Sequence, residues 1–246
     1  MEKDTVYYIW LSLACGPVST APPKLFSHYD DAYSIYNADD EEIRSLDFLS
    51  DVQKSALCNK DLDNARSIIK FCIKNKIGLL SIHDKSYPAR LRRIDSPPVI
   101  LYYKGILPDF DNTVCIAMVG TRHATNSGRR AAYNISRDLT FAGAVTVSGM
   151  ALGIDSLVAK GAIDVGGHTV GIDVKTAVLI VKCRINENWL LTDINAIFTK
   201  HSHHSRNSCF NCTFATNFFD HWGIEPYCKT ITCFYAVSTV VTFADD

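Results

Sequence analysis

Two stretches decide how this chain reads: Val114–Gly128, VCIAMVGTRHATNSG, and Val145–Asp155, VTVSGMALGID. Each is a short apolar run that breaks into glycine with a hydroxyl residue and then leads into a helix-like segment. Continuous apolar runs of that length are the signature of parallel strands buried on both faces. A glycine-rich turn between strand and helix leaves backbone N–H groups at a helix N-terminus, where they attract anionic oxygen. Two such turns at one sheet edge would make a single phosphate-binding face.

Working outward, residues 113–172 alternate strand and helix. The expected order is strand Val114–Val119, helix Gly128–Ala142, strand Val145–Val147, helix Asp155–Val165 and strand His168–Ile172. Short loops between alternating elements imply an α/β fold with a parallel sheet covered by helices. Ala131, Ala132, Ile135 and Leu139 supply a buried stripe for the first helix, which Gly143 stops; Gly166-Gly167 stops the second.

Residues 1–76 read as a small helical domain. Val6, Ile9, Trp10 and Leu13 share one helical face that Gly16-Pro17 terminates. Asp39-Asp40-Glu41-Glu42 places acids in the first turn of another helix, where they suit the macrodipole. Leu62, Ala65, Ile68, Ile69, Cys72 and Ile73 repeat at helical spacing. This domain reads as a packing or dimerisation module without chemistry, so a second copy of the chain is a candidate partner. Residues 77–112 form a connector in which Tyr87-Pro88 and Pro97-Pro98 force extended or turn geometry between two strand candidates, Ile77–Ile82 and Val99–Tyr103.

The 246 residues carry a formal charge of −1 and are 47% apolar, which supports a substantial core and gives no global attraction to nucleic acid or anionic membrane. Charge is nonetheless uneven. Between Lys85 and Arg137 nine basic residues stand against three acids, Asp95, Asp109 and Asp111. The start, MEKDTVYYIWLSLACG, does not read as a signal peptide, and no run approaches a membrane span of about 20 apolar residues. A cytoplasmic protein with reduced thiols is the expectation, since the nine cysteines are odd in number and scattered.

After Ile172 the character changes. Residues 173–246 hold five of the nine cysteines, are rich in Phe, Thr and Asn, and lack clear caps and periodicity. This reads as a divergent or poorly ordered tail, and a shift of reading frame upstream would produce the same change. Cys209-x-x-Cys212 with His221, Cys228 and Cys233 has the outline of a zinc site, but the surroundings look unselected. No metal and no cofactor is expected.

The order and spacing of these motifs resemble the DNA-processing protein family DprA, also called Smf. Its pattern is a strand, VG[ST]R, a further hydroxyl residue and a glycine opening a helix. A second strand, SG-A-GID, a helix with an AH-[KR]-G-A-[LI] run, and GG-T follow. Gly120-Thr121-Arg122, Thr125 and Gly128 match the first part. Ser148-Gly149, Ala151, Gly153-Ile154-Asp155, Lys160-Gly161-Ala162-Ile163 and Gly166-Gly167-His168-Thr169 match the second, with Val158-Ala159 standing where the histidine run belongs. Tyr87-Pro88, Leu91, Ile94, Pro97-Pro98, Leu101 and Gly105 look like the family's connector. The likeness spans roughly residues 5–172. Beyond it, only Glu187-Asn188, Leu190 and Ile194 answer to the family's next segment.

The resemblance implies a Rossmann-like parallel sheet, incomplete here because the later family strands are missing, preceded by a sterile-alpha-motif-like helical domain. It implies single-stranded DNA binding in DNA uptake, with transfer of the strand to a RecA-type recombinase, and no catalysis. The residues implied at the DNA are Gly120, Thr121, Arg122, Thr125, Gly128, Arg129, Ser148, Gly149, Gly153 and Lys160. A guanidinium at Arg122 can grip phosphate through two parallel hydrogen bonds, or cap carbonyls at the sheet edge. Arg129 and Arg130 sit in a first helical turn, where cations oppose the dipole and phosphate contact competes with plain solvation. Asp155 is expected to cap its own helix.

No carboxylate is paired in sequence with a nucleophile or base, so no catalytic residues are expected. The Gly-x-Gly-x-x-Gly fingerprint of dinucleotide binding is absent, since Arg122 stands where the pyrophosphate would pass. Two alternatives stay open: a nucleotide-processing Rossmann-like enzyme that cleaves nucleoside monophosphates at the N-glycosidic bond, and an inactive truncated relative.

Overall fold

The structure is a computed structural model that describes residues 4–16, 19–173, 178–182 and 239–243. The chain divides into two compact units at the Asn112–Thr113 junction, with Ala177–Leu179 grouped with the first.

The first unit opens with six helices: α1 (Thr5–Cys15), α2 (Ala21–Leu25), α3 (Ala32–Asn37), α4 (Asp40–Ser45), α5 (Asp51–Cys58) and α6 (Asp63–Lys74). The starts of α3, α4 and α5 are written in the sequence. The Asp31 carboxylate accepts the Ser34 N–H at 2.7 Å, and the Asp39 carboxylate accepts that of Glu41 at 2.9 Å. Ser50 and Gln53 form a reciprocal capping box on α5. Each satisfies backbone donors that a helix leaves unpaired. Ile9, Leu11, Leu25, Ile35, Ile43 and Leu57 are fully buried between these helices. The face expected for α1 is only partly right: Ile9 and Trp10 are buried, but Leu13 is 53% exposed while Tyr8 and Leu11 are buried instead. Packing by α3, α5 and α6 surrounds α1 on more than one side, so a single stripe does not describe it.

The connector belongs to this unit. Strands β1 (Gly78–Ser81) and β2 (Ile100–Lys104) pair antiparallel, Leu80 opposite Leu101, with the short helix α7 (Ala89–Arg92) between them. Arg92 fastens the connector. Its Nε donates to the Ile82 carbonyl at 2.9 Å, one terminal nitrogen donates to that of Asp84 at 3.0 Å, and the guanidinium lies over the buried Tyr87 ring. The Tyr8 hydroxyl and His83 Nδ1 are hydrogen-bonded at 2.8 Å.

The second unit runs β3 (Cys115–Gly120), α8 (Asn126–Phe141), β4 (Val145–Ser148), α9 (Ile154–Asp164) and β5 (Thr169–Asp173). β3 pairs in parallel with β4, and β4 with β5, which is the α/β parallel architecture the sequence implies. Ile116, Met118, Ala132, Ile154 and Val158 form its core.

The stripe of α8 departs from expectation. Its buried residues are Ala132, Ser136 and Thr140, whereas Ile135 is 38% exposed. The reason is close helix–helix approach. A Cβ at Gly161 of α9 would overlap the Tyr133 carbonyl oxygen, and Ser136 Oγ donates to the Val158 carbonyl at 2.6 Å. Small and hydroxyl side chains fit that seam; Ile135 does not.

Two segments of the expected tail are strands: β6 (Val178–Lys182) and β7 (Thr239–Phe243). β7 pairs in parallel with β3, Ile116 opposite Thr239 through Gly120 opposite Phe243, so the sheet gains a strand on the side of β3 away from β4. The cysteine and histidine group Cys209, Cys212, His221, Cys228 and Cys233 lies outside the described residues, as does the Glu187-Asn188 segment. Among the described residues no helix is long and apolar enough to cross a membrane.

Candidate functional site

The two glycine turns meet. Both leave C-terminal strand ends, β3 at Gly120 and β4 at Ser148, and both feed helix N-termini. The Ile154 N–H donates to the Thr121 carbonyl at 3.2 Å. Gly153 has φ +91°, and a Cβ there would overlap the Thr121 carbonyl oxygen and the Arg122 backbone. Only glycine combines that backbone conformation with that approach. At Gly120 a Cβ would lie 2.7 Å from Ile154 Cγ1, so this glycine admits the start of α9 into the core rather than a ligand from that side.

The first turn is internally ordered. Thr121 Oγ1 accepts the His123 N–H at 3.1 Å. Thr125 is the N-cap of α8, accepting the Gly128 N–H at 3.1 Å through its hydroxyl. Gly128 thus spends its N–H within the helix start. Arg122 stands exposed on this turn without a hydrogen bond or ion pair to any described residue. Arg129 and Arg130 are exposed on the opening turns of α8. Three guanidinium groups therefore belong to one strand–helix turn, in a form that suits planar bidentate recognition of phosphate.

The second turn is unlike its expectation. Ser148 is 2% exposed, which withdraws its side chain from any surface ligand; the small residue is needed because β4 ends inside the core. Asp155 does not cap its own helix. The N-cap position is Gly153, and the Asp155 carboxylate turns back to accept the Ala151 N–H at 3.3 Å. A Cβ on Gly149 would stand 3.0 Å from Asp155 Oδ2. Burial pushes the Asp155 pKa above the ordinary carboxylate value, against hydrogen bonding from Ala151, Gly120 and Gly149 N–H and the Ser148 hydroxyl, which lowers it. At full hydrogen-bond geometry both Ser148 Oγ and Asp155 Oδ1 remain unpartnered.

Lys160 is not brought to the turns. It lies six residues beyond Ile154, about 9 Å along the axis at roughly 1.5 Å per residue. There it pairs with Asp164 at 2.9 Å and rests over the Tyr133 ring. An i,i+4 partner one turn on, Asp164, was the signal that places Lys160 on a solvated helix face. The basic segment likewise divides. Arg92 is held by connector carbonyls, and Arg137 pairs with Asp138 at 2.9 Å. On the first turn and the start of α8, Arg122, Arg129 and Arg130 remain for a ligand. Sequence reasoning missed the tip of the second turn: Met150 carries φ +58° and Leu152 is 67% exposed.

These features define a class: an α/β protein with a parallel sheet whose strand–helix turns converge as one glycine-lined, arginine-bearing edge. The family model for DNA recombination-mediator protein A matches residues 78–199. Over 96 residues the chain is 33% identical to DNA processing protein DprA of Bacillus subtilis, covering 39% of this chain and 32% of that one. It is 38% identical over 96 residues to Protein Smf of Synechocystis, covering 38% and 24%. The chain thus spans about a third or less of the curated relatives it matches. Its fold is similar to that of DprA from Streptococcus pneumoniae, with a TM-score of 0.53 at 23% identity over 73% of this chain and 68% of that one. Through residues 78–199 the chain is similar to the DprA/Smf family. The match starts after the helical region and continues past Ile172, where the reading from motifs alone had ended; Glu187-Asn188, Leu190 and Ile194 fall inside it.

Proposed function

We propose that this chain binds single-stranded DNA without sequence preference in DNA uptake and recombination, as a non-enzyme that hands the strand to a RecA-type recombinase in the cytoplasm. The observation that carries the reading is the contact between the two glycine turns, with Arg122 exposed beside it. Similarity to the DprA/Smf family supplies the nucleic-acid context. The proposed DNA contacts are Thr121, Arg122, Thr125 and Arg129, with Gly128 shaping the first turn and Gly149 and Gly153 the second; Arg130 joins them, and Gly120, Ser148 and Lys160 are withdrawn. The helical region is the proposed surface for a second copy.

Binding of this kind releases counterions, so affinity falls linearly with salt on a log–log scale, by about 0.7 per phosphate contacted on a single strand. Three arginines predict a slope of about −2. Fluorescence anisotropy with a labelled oligothymidylate should show that slope. Arg122→Ala should cost about 1.5–3 kcal/mol, the range for hydrogen bonds to charged groups, and Lys85→Ala well under half of that. Absence of low-salt binding defeats the reading, and equal losses at both positions would assign binding to a diffuse basic surface. Release of free base from a nucleoside monophosphate panel would favour the glycosidic-cleavage alternative.

A further inference from the structure

Under the two-turn face lies a buried acid that the DNA reading does not use. Asp155 is 6% exposed and Ser148 2%, and each keeps an oxygen without a partner of full geometry. Gly120 N–H approaches from the end of β3, the Ser148 hydroxyl from β4, and Gly149 and Ala151 N–H from the second turn. The ionisable groups on the adjoining turn are Arg122 and His123, both exposed. No charged group from these, α8 or β5 is among the strongest influences on Asp155.

We propose that Asp155 is the positioning residue that ties the two turns together, and that it does so as the neutral acid when DNA occupies the face, so that binding takes up one proton. The proposal rests on the DNA reading above. A carboxylate enclosed without a cation is costly, and a phosphate set on the turns above it adds a second negative charge to the same region. A proton taken from solvent removes that conflict. The resulting O–H can donate to Ser148 Oγ while the other oxygen goes on accepting from Ala151. Burial already moves the free protein in this direction.

Two measurements test this on the full chain. The carbon-13 shift of the Asp155 carboxyl is followed against pH without DNA, and oligothymidylate affinity is followed against pH for wild type and Asp155→Asn, both in a His123→Gln background. The carboxyl should titrate above the ordinary value of about 3.9. Wild-type affinity should rise as pH falls toward that titration from above, by up to about tenfold per pH unit for one proton, and level off below it. Asp155→Asn should be flat, and tighter than wild type at neutral pH. An ordinary carboxyl titration overturns the proposal, and so does an unchanged pH slope in Asp155→Asn or uniformly weaker binding by that variant. If no DNA is bound at any pH, the DNA reading fails with the proton uptake built on it; the carboxyl titration then still decides whether Asp155 is held neutral.

Discussion

The two units of this molecule reach a packed state by opposite means. The helical unit buries large side chains, Ile9, Leu11, Leu25, Ile35, Ile43 and Leu57, and fastens its helices with caps such as the Ser50–Gln53 box. The sheet unit draws its helices together through what is missing. Gly120, Gly153 and Gly161 each leave room that backbone or Ile154 occupies, and Ala132, Ser136 and Thr140 line the α8 seam. One unit is limited by the volume it can fill, the other by the volume it can tolerate. The proposed binding face belongs to the second kind, because backbones that approach this closely bring two strand–helix turns to one edge.

This contrast is sharpest where side chains are cut down. Leu11→Ala should destabilise the helical unit by about 2–5 kcal/mol, the range for large-to-small core changes. Amide hydrogen exchange on the full chain should show the loss across α1, α3, α5 and α6. A loss below about 1 kcal/mol would mean that the caps, not the core, hold this unit. The converse change comes next in size. Gly161→Ala should cost about 1–3 kcal/mol by overpacking, with faster exchange in α8 and α9; a neutral outcome would show that Tyr133 and its turn can yield. Least affected should be Lys160→Ala. Its ion pair is largely exposed, 62% and 38% for the two partners, so a change under about 1 kcal/mol is expected, with oligonucleotide affinity unaltered. A tenfold loss of affinity would return Lys160 to the binding face.

The order β3–α8–β4–α9–β5 was legible because Gly120, Gly143, Gly149 and Gly166-Gly167 punctuate apolar runs whose lengths suit strands and helices. The resemblance added what spacing alone did not: that these turns are similar to those of a DNA-processing family. Other features were hidden for physical reasons. Periodicity scores Ile135 as core and Ser136 as surface, yet a seam set by backbone proximity inverts that preference. The antiparallel pairing of β1 with β2 depends on contacts across α7 that no local pattern encodes. Asp155 sits where a capping residue would, and nothing in its neighbours announces that its carboxylate turns back toward Ala151. Thr239–Phe243 is an apolar β-branched run, but its partner β3 is more than a hundred residues away, beyond any local pattern.

The thiols of the helical unit have a practical consequence. Cys15 and Cys72 are buried, and burial raises their pKa values to about 12 and about 11. Cys58 is only partly covered. Thiolate is the reactive form, so an alkylating reagent near neutral pH meets one accessible sulfur and two that react only when the helices part. Their alkylation rates are a built-in clock for the opening of this unit, readable by mass spectrometry without adding a probe.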